Sequence, residues 1–292
     1  MGYRYYVYEP TLVGAAVFVV LFAISTIAHL GQLVMKRTWY FIPFVVGGLF
    51  ETVGYVGRAM SAKETPDWTM KPYIMQSLLI LLGPTLFAAS IYMILGRIIR
   101  LTNGEAHSII RVNWVTKIFV LGDVLSFLAQ SGGGGMLAKA SAPSDQKNGE
   151  RLITIGLVIQ IAFFGFFIVV AGLFHVRINM YPTARSQQAT VPWQKFLFVL
   201  YGAGGLIMIR SLYRLIEYIQ GASGELQSKE AYLYVFDATL MFLTALMFNI
   251  FHPSKIISKE SLAEASYMMQ TGETDEMVPG RKQAAWQSAE SV

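Results

Sequence analysis

Side chains that carry charge or strong hydrogen-bonding capacity stand inside long apolar runs of this chain, among them His29, Glu51, Arg58, Gln76, Asp123, Gln130, Gln160, Arg210, Arg214, Glu217 and Asp237. An ionisable residue in a membrane interior costs about 2.5–3.5 kcal/mol on insertion scales, so each of these needs a partner or a purpose. Arg210, Arg214 and Glu217 follow i, i+4, i+7 spacing, share one helix face, and should point inward. The chemistry that fits is a polar cavity open toward the outer leaflet. Glu51, Arg58, Gln76, Asp123, Gln130, Gln160, Arg210, Arg214, Glu217 and Asp237 would line it and hold the head of an amphiphile whose tail stays in lipid. The competing reading is a set of structural ion pairs, Arg58 or Arg214 with Asp237 and Glu217, that tie helices together. Six helices contribute to the set, which favours the cavity. If an arginine holds Glu217, Asp237 is the freer partner for a cation.

A second chemistry is metal-assisted hydrolysis, in which His29, Glu51, Asp123 and another histidine hold zinc and polarise a water. The spacing argues against it, because there is no H-E-x-x-H and no two histidines stand at i, i+4. No metal and no cofactor are therefore expected. A haem or porphyrin would need His29 as its ligand, and a lone histidine on an apolar helix reads more simply as a packed residue. His175 and His252 fall at helix ends. There is no G-x-x-x-x-G-K-[ST] phosphate loop, and Gly132 to Gly135 follows a membrane helix, so it reads as close packing or a flexible helix end. With no cysteine, thiol catalysis, thiolate ligation and disulfides are excluded.

The elements that must position these residues are apolar helices. Of 292 residues 54% are hydrophobic and only 14% charged, with mean hydropathy +0.48, far from the soluble balance of roughly a quarter charged. A hydrocarbon core of about 30 Å needs about 20 apolar residues of helix. Seven such runs appear: Leu12–Met35, Trp39–Met60, Tyr73–Ile99 with Pro84 expected to kink it, Asn113–Ala138, Leu152–Val176, Trp193–Tyr218 and Ala231–Phe251. The reading is an all-α polytopic membrane protein with a transmembrane domain over residues 1–253. Ten basic residues fall on one side, from Lys36 to Lys259, and seven on the other, from Arg4 to Lys229. The positive-inside rule then puts the N terminus outside and the C terminus in the cytoplasm. Because the basic residues lie between apolar runs, the formal charge of +5 speaks for membrane orientation and against a nucleic-acid partner. From Ser254 to Val292 six acidic residues stand against four basic ones, a partly disordered cytoplasmic tail.

Several motifs in order resemble the fungal seven-helix lipid-translocating exporter family, the RTA-like proteins. They are YEPT at 8–11, HLGQ at 29–32, ETVGYVGR at 51–58, PYIMQ at 72–76, GPTLFAASIY at 83–92, GDVLSFLAQSGGGG at 122–135, IRSLYRLIEYIQG at 209–221, EAYLYVFD at 230–237 and HP at 252–253. The resemblance spans about Tyr8 to Pro253. It implies a fungal plasma-membrane or endomembrane protein that moves or senses membrane lipids and single-chain amphiphiles, such as sphingoid bases or sterol-like compounds, and contributes to resistance to toxic ones. Some members are linked to porphyrin uptake. Two other readings stay open, a seven-helix lipid receptor that transports nothing and a metal-dependent lipid amidase.

Overall fold

The computed structural model describes Tyr6 and residues 8–139, 143–189, 191–221 and 224–255. Seven helices are long and apolar enough to cross a membrane: α1 Leu12–Met35, α2 Ile42–Lys63, α3 Met70–Leu101, α4 Val112–Lys139, α5 Pro143–Met180, α6 Trp193–Gln220 and α7 Glu230–Ile250. No strand occurs among the described residues. Of the tail expected from Ser254 onward, all but Ser254 and Lys255 lies outside them.

Each helix packs on its successor and α7 returns to α1, so the seven close into a ring, with α3 also reaching α6 across the middle. The outward faces are apolar. On α1, Val13, Val17, Val20, Ile24 and Ile27 are all exposed at three- and four-residue intervals, which is the lipid-facing stripe of a membrane helix. Two aromatic clusters fill the interior on either side of α3. Phe41, Phe44, Phe87 and Phe248 pack at centroid distances of 4.3 to 5.8 Å, and Tyr92, Phe119, Phe164 and Phe167 form the second group.

Helix α5 is longer than its apolar run suggests. Its 38 residues extend for about 57 Å, well beyond a hydrocarbon core, because the polar stretch before Leu152 continues the helix. The glycine run of α4 likewise stays inside the helix. One glycine of the run is held by contact with α5: a Cβ on Gly133 would meet the Gly149 carbonyl oxygen at 2.6 Å and the Ile153 nitrogen at 2.9 Å. The neighbouring Gly134 meets nothing within 4 Å. Gly133→Ala should therefore push two backbones apart and lower stability by about 1–3 kcal/mol. Gly134→Ala should leave it unchanged or raise it by up to about 1 kcal/mol through helix propensity. Thermal unfolding of the two variants in detergent checks this, and equal melting temperatures would refute backbone contact at Gly133.

Candidate functional site

Three helices each present an i, i+4, i+7 set to the interior: Glu51, Tyr55 and Arg58 on α2, Arg210, Arg214 and Glu217 on α6, and Glu230, Tyr234 and Asp237 on α7. Glu51, Tyr55, Arg58, Arg210 and Asp237 have no exposed surface. Local sequence explains how so much polarity is gathered. Helix α2 carries glycines at 47, 54 and 57, and a Cβ on any of them would run into α3, so the two helices approach closely along their length. Gly83 serves the site directly, because a Cβ there would stand 2.7 Å from Glu51 Oε1. In α7 the segment Tyr234–Ala238 is a π-helix, with the Tyr234 carbonyl accepting from Thr239 Oγ1 at 2.8 Å. That extra residue in the turn re-aims Asp237.

At the N-terminal rim, Arg58 Nη2 pairs with Glu230 Oε1 at 2.6 Å and donates to the Tyr8 hydroxyl at 2.8 Å, while its Nε donates to the Tyr234 hydroxyl at 3.1 Å. The guanidinium also lies against the rings of Tyr8 and Tyr234, at 5.6 and 5.3 Å. Glu230 accepts the Thr11 backbone N–H at the start of α1, so one carboxylate joins α1, α2 and α7. About 10 Å deeper along α7, by the rise of a helix, Asp237 meets α6. Arg210 Nε donates to Asp237 Oδ1 at 2.5 Å, and Arg214 Nε stands 3.3 Å from Oδ2. Arg214 Nη1 also pairs with Glu217 Oε2 at 2.8 Å.

Arg210 has a second acceptor that the sequence prepares. Proline lacks an N–H, so Pro84 leaves the carbonyl four residues before it without its helical donor. That carbonyl belongs to Ile80, and Arg210 Nη2 donates to it at 2.9 Å. A residue expected only to kink α3 thus supplies an acceptor to the network.

Three guanidinium groups are matched by Glu230, Asp237 and Glu217, and one carboxylate is left over. Neither oxygen of Glu51 has a hydrogen-bond partner. Of the ion pairs expected to tie the helices, those of Arg214 with Glu217 and Asp237 form, while two other expectations are reversed. Asp237 is held by both arginines of α6, so it is not the freer cation partner. The partner of Arg58 is Glu230, which the sequence reading did not single out; its place seven residues before Asp237 on one helix face was the signal for it.

The other expected residues form separate groups. Gln76 accepts from the Tyr6 hydroxyl at 3.0 Å under an aromatic cover that includes Trp68 and Tyr73. Burial pushes the Tyr6 hydroxyl up to about 12, which keeps it a donor. Gln130 donates to Ser126 and to Gln160, binding α4 to α5. Asp123 on α4 is also buried without a hydrogen-bond partner on either oxygen, near the equally unpartnered Tyr92 hydroxyl of α3. Two surface hollows of about 400 and 300 Å³ lie at opposite ends of α4, away from the charge network.

Nor do His29, Glu51 and Asp123 come together. Among the described residues no three His, Asp or Glu side chains converge as metal ligands. His29 Nε2 is 3.0 Å from the Ala245 carbonyl, and its ring packs on Phe44 and faces His252 at 6.4 Å. His252 follows α7. Burial, reinforced by Lys36 and His29, holds its imidazole down at about 4, against 6.5 for a free one. A group that is neutral when folded and charges more readily when unfolded leaves stability intact above pH 6.5 and removes it as pH falls from 6.5 toward 4. His252→Phe should flatten that acid limb in melting curves recorded in detergent between pH 8 and 4.5. An unchanged limb would place the sensitivity elsewhere.

Seven membrane helices around a buried network of matched charges define an integral membrane protein with a polar interior. The chain belongs to the family described as RTA1 like protein, whose profile matches residues 44–260. It is 39% identical to Protein RTA1 of Saccharomyces cerevisiae over 277 residues, covering 86% of each chain. It is 36% identical to Protoporphyrin uptake protein 1 of the same organism, covering 85% of this chain and 92% of that one. It is also 25% identical to the Sphingoid long-chain base transporter RSB1 of Saccharomyces cerevisiae, over 84% of this chain and 72% of the relative. No solved structure matches the chain.

Proposed function

We propose that this protein translocates single-chain amphiphiles with a cationic head, of the sphingoid-base class, across a fungal membrane. The observation that carries the reading is Glu51, a wholly buried carboxylate without a hydrogen-bond partner beside a network whose other charges are matched. An acid so placed in a membrane interior is a functional site by default, and a cation is the ligand it suits. The arginines of the network are already committed to carboxylates, so a head carrying an amine finds more unused capacity here than a phosphate does. The relative named as a sphingoid long-chain base transporter supports the same class. Under this reading the N terminus faces outward, the basic loops face the cytoplasm, and the membrane is the plasma membrane.

One observation favours a second substrate class. Arg58 Nη1 has no hydrogen-bond partner, and a propionate of a tetrapyrrole is an acceptor for it, in keeping with the relative named for protoporphyrin uptake. Proteoliposomes free of ATP separate the two. A fluorescent sphingoid base and protoporphyrin are followed in parallel between leaflets, and their masses are checked afterwards. Faster redistribution of the base than in protein-free vesicles, with its mass intact, is the expected result. Faster movement of protoporphyrin alone would replace the cationic reading, and a changed mass would replace transport with catalysis.

A further inference from the structure

Glu51 raises a question that translocation alone does not answer: what neutralises it when no amphiphile is bound. An ionised carboxylate without hydrogen bonds in a low-dielectric interior carries a penalty of several kcal/mol. The groups that face it are specific. The charges whose fields reach it are Arg210 and Arg214 of α6 and Asp237 of α7, Tyr55 stands one turn along its own helix, and α3 presents the bare backbone of Gly83. Both arginines are bound to other carboxylates, and Asp237 has the same sign of charge as an ionised Glu51. No fixed cation is therefore available to it among the described residues, and only a mobile one can serve.

We propose that Glu51 binds a proton and the cationic head of the amphiphile alternately, so that each amphiphile crosses in exchange for one proton. This inference rests on the translocation reading of the same site. Loading the amphiphile releases the proton from a Glu51 oxygen to water on the loading side, and the carboxylate pairs with the incoming cation. Release on the far side is followed by uptake of a proton there. The buried site then never carries an uncompensated charge, and the cycle moves no net charge across the membrane. The three ion pairs Arg58–Glu230, Arg210–Asp237 and Arg214–Glu217 take no part in the exchange and stay intact throughout.

The probe for the test is a fluorescent single-chain alkyl trimethylammonium, whose permanent charge prevents it from crossing as a neutral amine or carrying a proton itself. Full-length protein is reconstituted in vesicles with an interior one pH unit more acidic than the bath, and the membrane potential is clamped at zero. One-for-one exchange predicts about tenfold accumulation of the probe inside, an interior pH rise on probe addition, and collapse of the ratio with a protonophore. Glu51→Gln, nearly isosteric, should abolish accumulation. Glu51→Asp should retain it, and Glu105→Gln, an exposed carboxylate in the turn after α3, should behave as the unaltered protein. Movement of the probe to equal concentrations regardless of the pH gradient would overturn the exchange and leave translocation standing. Accumulation that survives in Glu51→Gln would move the proton to another group and overturn the assignment. No movement in the unaltered protein would end the translocation reading and the exchange with it.

Discussion

Arg210→Met should deplete the folded protein, whereas Arg210→Met combined with Asp237→Leu should restore most of it. The single change leaves Asp237, wholly buried, with only the Arg214 contact at 3.3 Å, and it strips the Ile80 carbonyl of its donor. Breaking one side of a buried pair costs about 3–5 kcal/mol, and an orphaned buried carbonyl adds about 1–3. Against a total stability of about 5–15 kcal/mol that is a large fraction. Removing both partners removes the uncompensated charge, so the double variant should recover several kcal/mol. Pro84→Ala extends the test. It returns a helical N–H to Ile80, so it should improve the Arg210→Met variant more than it improves the unaltered protein. The measurements are the monodisperse fraction after detergent extraction and the melting temperature. An Arg210→Met variant as stable as the parent would show that the Arg210–Asp237 bond holds nothing together.

The same residues show what a sequence can reveal about such a site and what it hides. The α6 set was readable because Arg210, Arg214 and Glu217 keep strict helical spacing within an apolar run, and a membrane interior leaves such residues nowhere to turn but inward. The seven spans were readable for the same reason of hydrocarbon thickness. Partner choice was not. Glu230 stands at the first residue of α7, where a carboxylate looks like an ordinary exposed helix start, and only the ring closure of α7 on α1 and α2 brings it to Arg58. The π-helical turn at Tyr234–Ala238 is invisible to a count at 3.6 residues per turn, and it sets the direction of Asp237. Pro84 signalled a kink, while its consequence, a free Ile80 carbonyl, becomes meaningful only once α6 is seen opposite it. Gln130, Gln160 and Asp123 were grouped with the cavity because depth along a helix is legible and azimuth is less so. Their neighbours lie on α3, α4 and α5, a different wall of the ring.

Glu51→Gln should lower the rate of sphingoid-base redistribution by about a hundredfold or more, with folding and detergent stability preserved. Loss of a desolvated charge pair between a buried carboxylate and a cationic head is worth about 3–5 kcal/mol, which is about two to four orders of magnitude in rate if that pair forms on the path across the membrane. Stability should not fall with it, because Glu51 makes no hydrogen bond for the substitution to break, and glutamine fits the space against Gly83 that glutamate occupies. The sign of the substrate's charge gives the comparison its force. An anionic amphiphile gives Glu51 no cation to pair with, so its side chain stays protonated and Glu51→Gln should leave protoporphyrin movement unchanged, whereas Arg58→Gln should slow it. Arg58→Gln also releases Glu230, Tyr8 and Tyr234, so its effect must be read beside its melting temperature. A fully active Glu51→Gln variant with the sphingoid base would refute the cation site, and it would direct attention to the unpaired Nη1 of Arg58 as the position where the head group binds.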